Sequence, residues 1–352
     1  MKKMKKVLAV ALSLVMAGSL AACGSSSTET KAPETGASET AAESTAESGS
    51  EAASEVSTDG KVYNIGICQL IQHDALDAAT KGFEDAITEK MGDSVKFDEQ
   101  NAQGDSNTCS TIINSFVSEG ADLILANATA SLQAAAAGTS DIPILGTAVT
   151  EYGVALGIDD FDGTVGGNIS GTSDLAPLDE QADMLHELFP DAKNVGLLYC
   201  SAEPNSVYQS DVVKQYLENA GLTVNVYTFA DSNDVSTVTA TACAECDALY
   251  IPTDNTAASC TEAINNVAEP AGIPIVTGEE GLCKGCGIAT LSISYYDLGV
   301  TTGKMAAKIL TGEADISEMP IEYFQNPVKK YAAERCAALG IEIPSDYVAI
   351  EG

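Results

Sequence analysis

Residues 163–171, GTVGGNISG, decide the fold, because the same rhythm of strand and helix is written on both sides of them. Upstream, Val62–Leu70 (VYNIGICQL) is an apolar run of strand length. Leu76, Ala79, Phe83, Ala86 and Ile87 then recur at spacings of three and four, the face of a helix over 74–90. Val95–Phe97 is a strand, Ile112, Ile113, Phe116 and Val117 mark a helix, and Asp122–Ala126 (DLILA) is a buried strand. A short helix over Ser131–Ala137 and a strand over Ile142–Leu145 complete the first series. Downstream, helices over Leu178–Phe189, Val207–Asn219, 234–245 and 257–268 alternate with strands Asn194–Tyr199 (NVGLLY), Val224–Phe229, Ala248–Ile251 and Ile273–Val276. Strands joined by helices imply parallel sheets covered on both faces. The expectation is therefore an α/β protein of two doubly wound parallel-sheet lobes.

The chain has 352 residues, the length of about two domains, and 45% hydrophobic residues, enough to bury a core. Its formal charge of −34 argues against nucleic acid as a partner, since phosphate would be repelled. The N-terminus is set apart. Lys2, Lys3, Lys5 and Lys6 precede an apolar stretch, Val7 to Leu20, the plan of a secretory signal. Its end, Leu20-Ala21-Ala22-Cys23, resembles the lipobox of bacterial lipoproteins. That resemblance implies a signal peptide over 1–22 and a lipidated Cys23 that anchors the chain to the outer face of the cytoplasmic membrane. Residues 23–60 are Ser, Thr, Ala, Glu and Gly, with Lys31 opposing eight acids, and read as a disordered acidic tether. Lobe 1 is expected over 61–168 plus about 291–318, and lobe 2 over 169–290 plus about 319–352.

In parallel sheets ligands bind beyond the carboxyl ends of the strands, and two lobes would put those ends across a cleft. The residues there are polar: Gln69 and His73, then Thr129 and Ser131, then Thr147 and Thr150, in the first series. In the second they are Asn205 and Ser206 after NVGLLY, Asp254 and Asn255 after ALYIPT, and Glu279 after IPIVTG. Ser, Thr, Asp and Asn also cap helices whatever the function, so capping competes with ligand contact at each position. As a set they suit a zwitterion: helix N-termini and hydroxyls for a carboxylate, and an acid such as Asp254 for an ammonium group. No Lys or Arg stands at these strand ends, which argues against a phosphate ligand.

Several stretches together resemble one family. They include Gln69-Leu70 with His73, Gln100-Asn101-Ala102-Gln103-Gly104-Asp105, Gly171-Thr172-Ser173-Asp174, Glu203-Pro204-Asn205-Ser206, Pro252-Thr253-Asp254-Asn255 and Tyr295-Tyr296-Asp297-Leu298-Gly299. In unbroken order over roughly 62–350, the chain is similar to the tryptophan/tyrosine-type substrate-binding lipoproteins of ABC transporters. The resemblance implies a type 1 periplasmic-binding-protein fold with a three-strand hinge, crossing near 163–171, 288–294 and 313–321. It implies a solute trapped between the lobes and delivered to a membrane permease, with a monomeric carrier and no cofactor. By analogy with amino-acid binders on this fold, Thr129 and Thr150 would hold the carboxylate, Asp254 the ammonium, and Gln69 and His73 would sit by the side chain. Ser173, inside the shared Gly171–Asp174 stretch, joins the candidate contacts. Cys68 and Cys200 depart from the family's usual residues. A nucleoside or sugar ligand stays open, with Tyr152, Tyr208, Tyr295 and Tyr296 available to stack a ring, as does a ligand-sensing lobe for a receptor.

Nine cysteines remain beside Cys23, an odd number that cannot be fully paired in disulfides. The spacings Cys243-x-x-Cys246 and Cys283-x-x-Cys286 offer a candidate for a thiolate zinc site. Small buried hydrophobes are the competing reading. No Ser/His/Asp set, H-E-x-x-H, Walker loop or G-x-G-x-x-G occurs, so an enzyme is not expected.

Overall fold

The strands form where apolar runs can be buried on both faces. In a computed structural model, which describes residues 60–324 and 326–351, thirteen strands and twelve α-helices are assigned among the described residues. The expected signal peptide over 1–22, the lipidation at Cys23 and the tether to residue 59 lie outside the described residues. The first series is β1 (Tyr63–Gln69), α1 (Asp74–Met91), β2 (Val95–Asn101), α2 (Ser106–Glu119), β3 (Leu123–Asn127), α3 (Thr129–Gly138), β4 (Ile144–Val149), α4 (Tyr152–Leu156) and β5 (Ile169–Ser173). The second is α5 (Leu178–Leu188), β6 (Asn194–Cys200), α6 (Pro204–Asn219), β7 (Thr223–Phe229), α7 (Val235–Glu245), β8 (Ala248–Ile251), α8 (Asn255–Ser259), α9 (Thr261–Ala271), β9 (Ile275–Thr277), α10 (Glu280–Gly285) and β10 (Ala289–Ser292). The tail adds α11 (Tyr295–Leu310), β11 (Glu322–Tyr323), β12 (Val328–Tyr331), α12 (Ala333–Leu339) and β13 (Val348–Ala349).

Two sheets result. One has the order β11-β5-β4-β3-β1-β2 and is parallel throughout. The other has the order β13-β12-β10-β9-β8-β6-β7, parallel except where β12 runs against β10. The central strands β3 and β8 are buried at every residue, as a sheet covered by helices on both faces requires. The amphipathic helices α1 and α11 pack together over lobe 1, with Leu76, Ala79, Phe83 and Ile87 turned inward.

The chain crosses between the sheets three times: from β5 to α5, from β10 to α11, and between Tyr323 and Val328. These crossings correct the boundary expected at 168/169. β5 pairs with β4 inside lobe 1, so the first crossing comes after Ser173. The third comes after β11, which also pairs with β5, and not within 313–321. The glycine cluster serves the strand pair instead. At Gly171 φ is +147°, and a Cβ would lie 2.1 Å from the carbonyl oxygen of Gly146 on β4, so only glycine lets the two strands approach.

Candidate functional site

The carboxyl ends of both sheets face a narrow cavity of about 10 Å³. Lobe 1 supplies His73 and Leu76 from the start of α1, Ala148 and Thr150 from the end of β4, and Tyr295 from the first turn of α11. Lobe 2 supplies Asn205, Thr253, Asp254, Asn255, Ala258 and Glu279. Asp174, on the first crossing, completes the wall. The end of β4 is shaped by an irregularity. Its register with β5 shifts between Gly146 and Val149, and Ala148 takes φ +52°, the re-aiming effect of a bulge.

The wall is acidic and carries no Lys or Arg. Yet the acids are not equivalent. Asp254 caps α8: Oδ1 accepts the N–H of Ala257 at 2.7 Å, and Oδ2 accepts the N–H of Cys200 at 2.7 Å. Each of its oxygens therefore already accepts a backbone N–H within lobe 2. Glu279 caps α10 in the same way, accepting from Gly281 and Leu282. Asp174 is different. Its Oδ2 accepts the phenol O–H of Tyr295 at 2.8 Å, while Oδ1 is buried with no partner. The second orphan on the wall is Nδ1 of His73, whose Nε2 lies 3.1 Å from Oδ1 of Asn255 across the cleft.

Burial dominates the ionisation of these groups. It raises the pKa of Asp174 from its ordinary value, against the Tyr295 and Thr150 hydroxyls. Burial, and then the carboxylate of Glu203, raises Asp254. Glu279 is pushed up to about 7 by burial, opposed by its two backbone N–H bonds. His73 is lowered by burial, which favours the neutral ring.

Of the residues expected at the cleft, His73, Thr150, Asn205, Asp254, Asn255 and Glu279 wall this cavity. The other six are not brought to it. Gln69 is spent inside lobe 1, donating to Ile71 O and Asp77 and accepting from Thr80 at 2.7 Å. Thr129 is buried at the first position of α3. Ser131 lies 3.6 Å from both the Cys68 and Cys109 thiols. Thr147 bonds Thr172 and Thr302 beneath α11. Ser173 ties the first crossing by donating to Thr150 O and accepting from Leu175 N. Ser206 accepts from the amide of Asn205. Of the four tyrosines, Tyr295 alone reaches the wall; Tyr152 is buried in lobe 1, where its hydroxyl donates to Thr172 O. Sequence reasoning missed Asp174 as a contact. It directly follows a strand, so the strand-end rule would have found it had β5 been recognised.

The nine described cysteines are free thiols. Among the described residues no three His, Cys, Asp or Glu side chains gather as metal ligands. The turn holding Cys283 and Cys286 is organised by Arg335, whose guanidinium donates to the carbonyls of Cys283, Gly285 and Gly287 at 3.1, 2.9 and 2.6 Å. Cys246 instead contacts the hydroxyl of Tyr227, in the core cluster it shares with Cys243. A larger groove, open to solvent, lies at the amino ends of β1 and β2 around Lys96, Phe97 and Phe116, away from these groups.

Comparison with known proteins places this geometry. The family described as ABC transporter substrate binding protein matches residues 64–347. A tyrosine-binding protein of Clostridioides difficile (strain R20291) is 38% identical over 278 residues, covering 78% of this chain and 80% of that protein. A solved ABC domain from Streptococcus pneumonia in complex with L-Trp is 32% identical, with TM-score 0.77, over 81% of this chain and 97% of that one. A ligand-free, open substrate-binding protein with adhesive properties from Clostridium difficile is 37% identical, with TM-score 0.62, over 82% of this chain and 100% of that one. The L-Trp complex has the higher TM-score of the two despite its lower identity. Other solved proteins at 11–16% identity share the fold alone.

Proposed function

Because the chain belongs to the ABC transporter substrate-binding proteins, a family of non-enzymatic solute carriers working outside the cytoplasm, we propose that it binds an aromatic amino acid between its lobes and delivers it to a membrane permease. The lipid on Cys23 and the acidic tether would keep the carrier at the membrane surface. The observation that carries this reading is the free Oδ1 of Asp174, a buried acceptor on a wall without Lys or Arg. An unpaired buried acceptor costs free energy that an ammonium group would recover. Asp174 therefore takes the role first given to Asp254. For the carboxylate, donors are at hand in the first turn of α1, whose N-cap His73 makes no side-chain cap bond. The two relatives that bind tyrosine and L-Trp favour an aromatic side chain.

A thermal-shift screen of the 20 amino acids, nucleosides and simple sugars tests the reading. Tyrosine or tryptophan is expected to raise the melting temperature. A ligand at a hundred times its Kd adds about 2.7 kcal/mol. Asp174→Asn should weaken binding roughly ten- to a hundredfold, the loss of a charge-assisted hydrogen bond. A shift from sugars or nucleosides alone would remove the amino-acid reading.

A further inference from the structure

His73 is fixed by a chain of hydrogen bonds that begins on the other lobe. The carboxylate of Glu203 accepts from the backbone N–H of Asn255 at 3.0 Å, the N–H of Thr256 at 2.8 Å and the hydroxyl of Thr256 at 2.7 Å. It also accepts from the side-chain amide of Asn255 at 2.7 Å. Both oxygens of Glu203 thus act as acceptors of backbone N–H groups, so the amide NH2 of Asn255 faces Glu203 and its Oδ1 faces away. That oxygen, also an acceptor only, is the one 3.1 Å from Nε2 of His73. Nε2 therefore carries the ring proton, and in the neutral imidazole Nδ1 is a bare lone pair. Nδ1 and Asp174 Oδ1 are both buried without partners, and their residues wall the same cavity. Other charged or titratable groups near the ring are Asp74 and Asp77 on α1, Glu203 before α6, and Asp254, Glu279 and Tyr295 on the wall.

We propose that His73 Nδ1 and Asp174 Oδ1 form a paired acceptor for a single primary ammonium group, so that the cleft selects solutes by the number of N–H bonds on their amine. This rests on the amino-acid reading of the same site. Two orphan acceptors need two donors. A primary ammonium has three N–H bonds and serves both; an N,N-dimethylated one has a single N–H and leaves one acceptor buried and unpaired. A hydroxyl in place of the amine has the same shortfall. The Glu203–Asn255 pair makes His73 an acceptor here; with the opposite tautomer it would donate and repel the ammonium.

The probes are L-tyrosine, L-tryptophan, N,N-dimethyl-L-tyrosine and 3-(4-hydroxyphenyl)propionate, titrated calorimetrically into the full chain and into two variants. His73→Gln keeps a donor that reaches Asn255 but has no acceptor at the δ position. His73→Asn keeps a δ acceptor but cannot reach across the cleft. The expected result is at least about tenfold weaker binding of the dimethyl compound by the wild type, one hydrogen bond's worth. His73→Gln should lose about tenfold for L-tyrosine, more than His73→Asn does, with no change for the amine-free propionate. Imidazole 15N shifts, with exposed His186 as reference, should report His73 as the Nε2–H tautomer. Equal binding of tyrosine and its dimethyl derivative, wild-type affinity in His73→Gln, or a proton on Nδ1 would overturn the inference alone. A wild-type chain that binds neither L-tyrosine nor L-tryptophan overturns the aromatic reading and this inference with it.

Discussion

The two lobes share an architecture and differ in what fills them. Lobe 1 is held by apolar packing and by neutral groups: the Gln69–Thr80–Asn127 set and the hydroxyls of Thr147, Thr172 and Thr302. Lobe 2 is built around charges. Glu203, Asp254 and Glu279 are buried as helix caps, and Arg335 gathers the carbonyls of one turn. A neutral interior is governed by shape, whereas buried carboxylates are governed by hydrogen bonding and pH. The acids of the cleft are therefore mostly structural parts of lobe 2. The two acceptors left open lie on lobe 1 and at the crossing.

The sharpest test of the shape-governed lobe is Gly299→Ala on α11. A Cβ there would lie 2.0 Å from the carbonyl oxygen of Ala79 on α1, a backbone atom that cannot swing aside. Alanine gains about 1 kcal/mol of helix propensity. Overpacking against backbone costs up to about 3 kcal/mol, so sterics win and the net loss should be about 2 kcal/mol in denaturant unfolding. An unchanged midpoint would mean the helices separate freely, and the contrast between lobes would fail.

For the charge-governed lobe the handle is pH. Glu279 has its pKa raised from 4.5 to about 7 by burial. The folded state thus holds a proton that the unfolded state has released between those values. Stability from this group is full below about 4.5 and is lost as pH rises through about 7. Raising the pH from about 5.5 to about 8 should cost on the order of 1–2 kcal/mol. Asp254 shifts in the same direction. Glu279→Gln should flatten the profile over this window; a slope unaltered by that substitution would place the titration elsewhere.

This contrast also explains what could be read from the sequence. Strands such as β3 and β8 were legible because they are apolar and wholly buried. β5 (ISGTS) was not, since its buried residues are small and polar, satisfied by partners far along the chain: Ser170 donates to Met319 O and Thr172 meets Thr302. β2 was read short because this edge strand runs on into the polar residues Asp98–Asn101. Of the strand-end residues, His73, Thr150, Asp254 and Glu279 wall one cavity. The strand-end rule could not say which acceptor stays free. Asp254 and Asp174 look alike in sequence, and only the positions of the Cys200, Ala257 and Tyr295 donors tell them apart.

The smallest expected effect concerns the thiols. In lobe 1, Cys68 and Cys109 are fully buried against Ser131. In lobe 2, Cys200, Cys243, Cys246, Cys283, Cys286 and Cys336 are also buried, and Cys260, between α8 and α9, is partly exposed. Burial raises the pKa of Cys283 well above the ordinary thiol range and that of Cys286 to about 12, which removes the reactive thiolate at neutral pH. Alkylation of the folded chain should therefore modify Cys260 first, with almost no change in melting temperature. Denaturant added below the midpoint should expose further lobe 2 thiols if the charged lobe opens locally, whereas Cys68 and Cys109 should react only on global unfolding. Early labelling of Cys68 by mass spectrometry would show lobe 1 to be the looser half and would reverse the comparison.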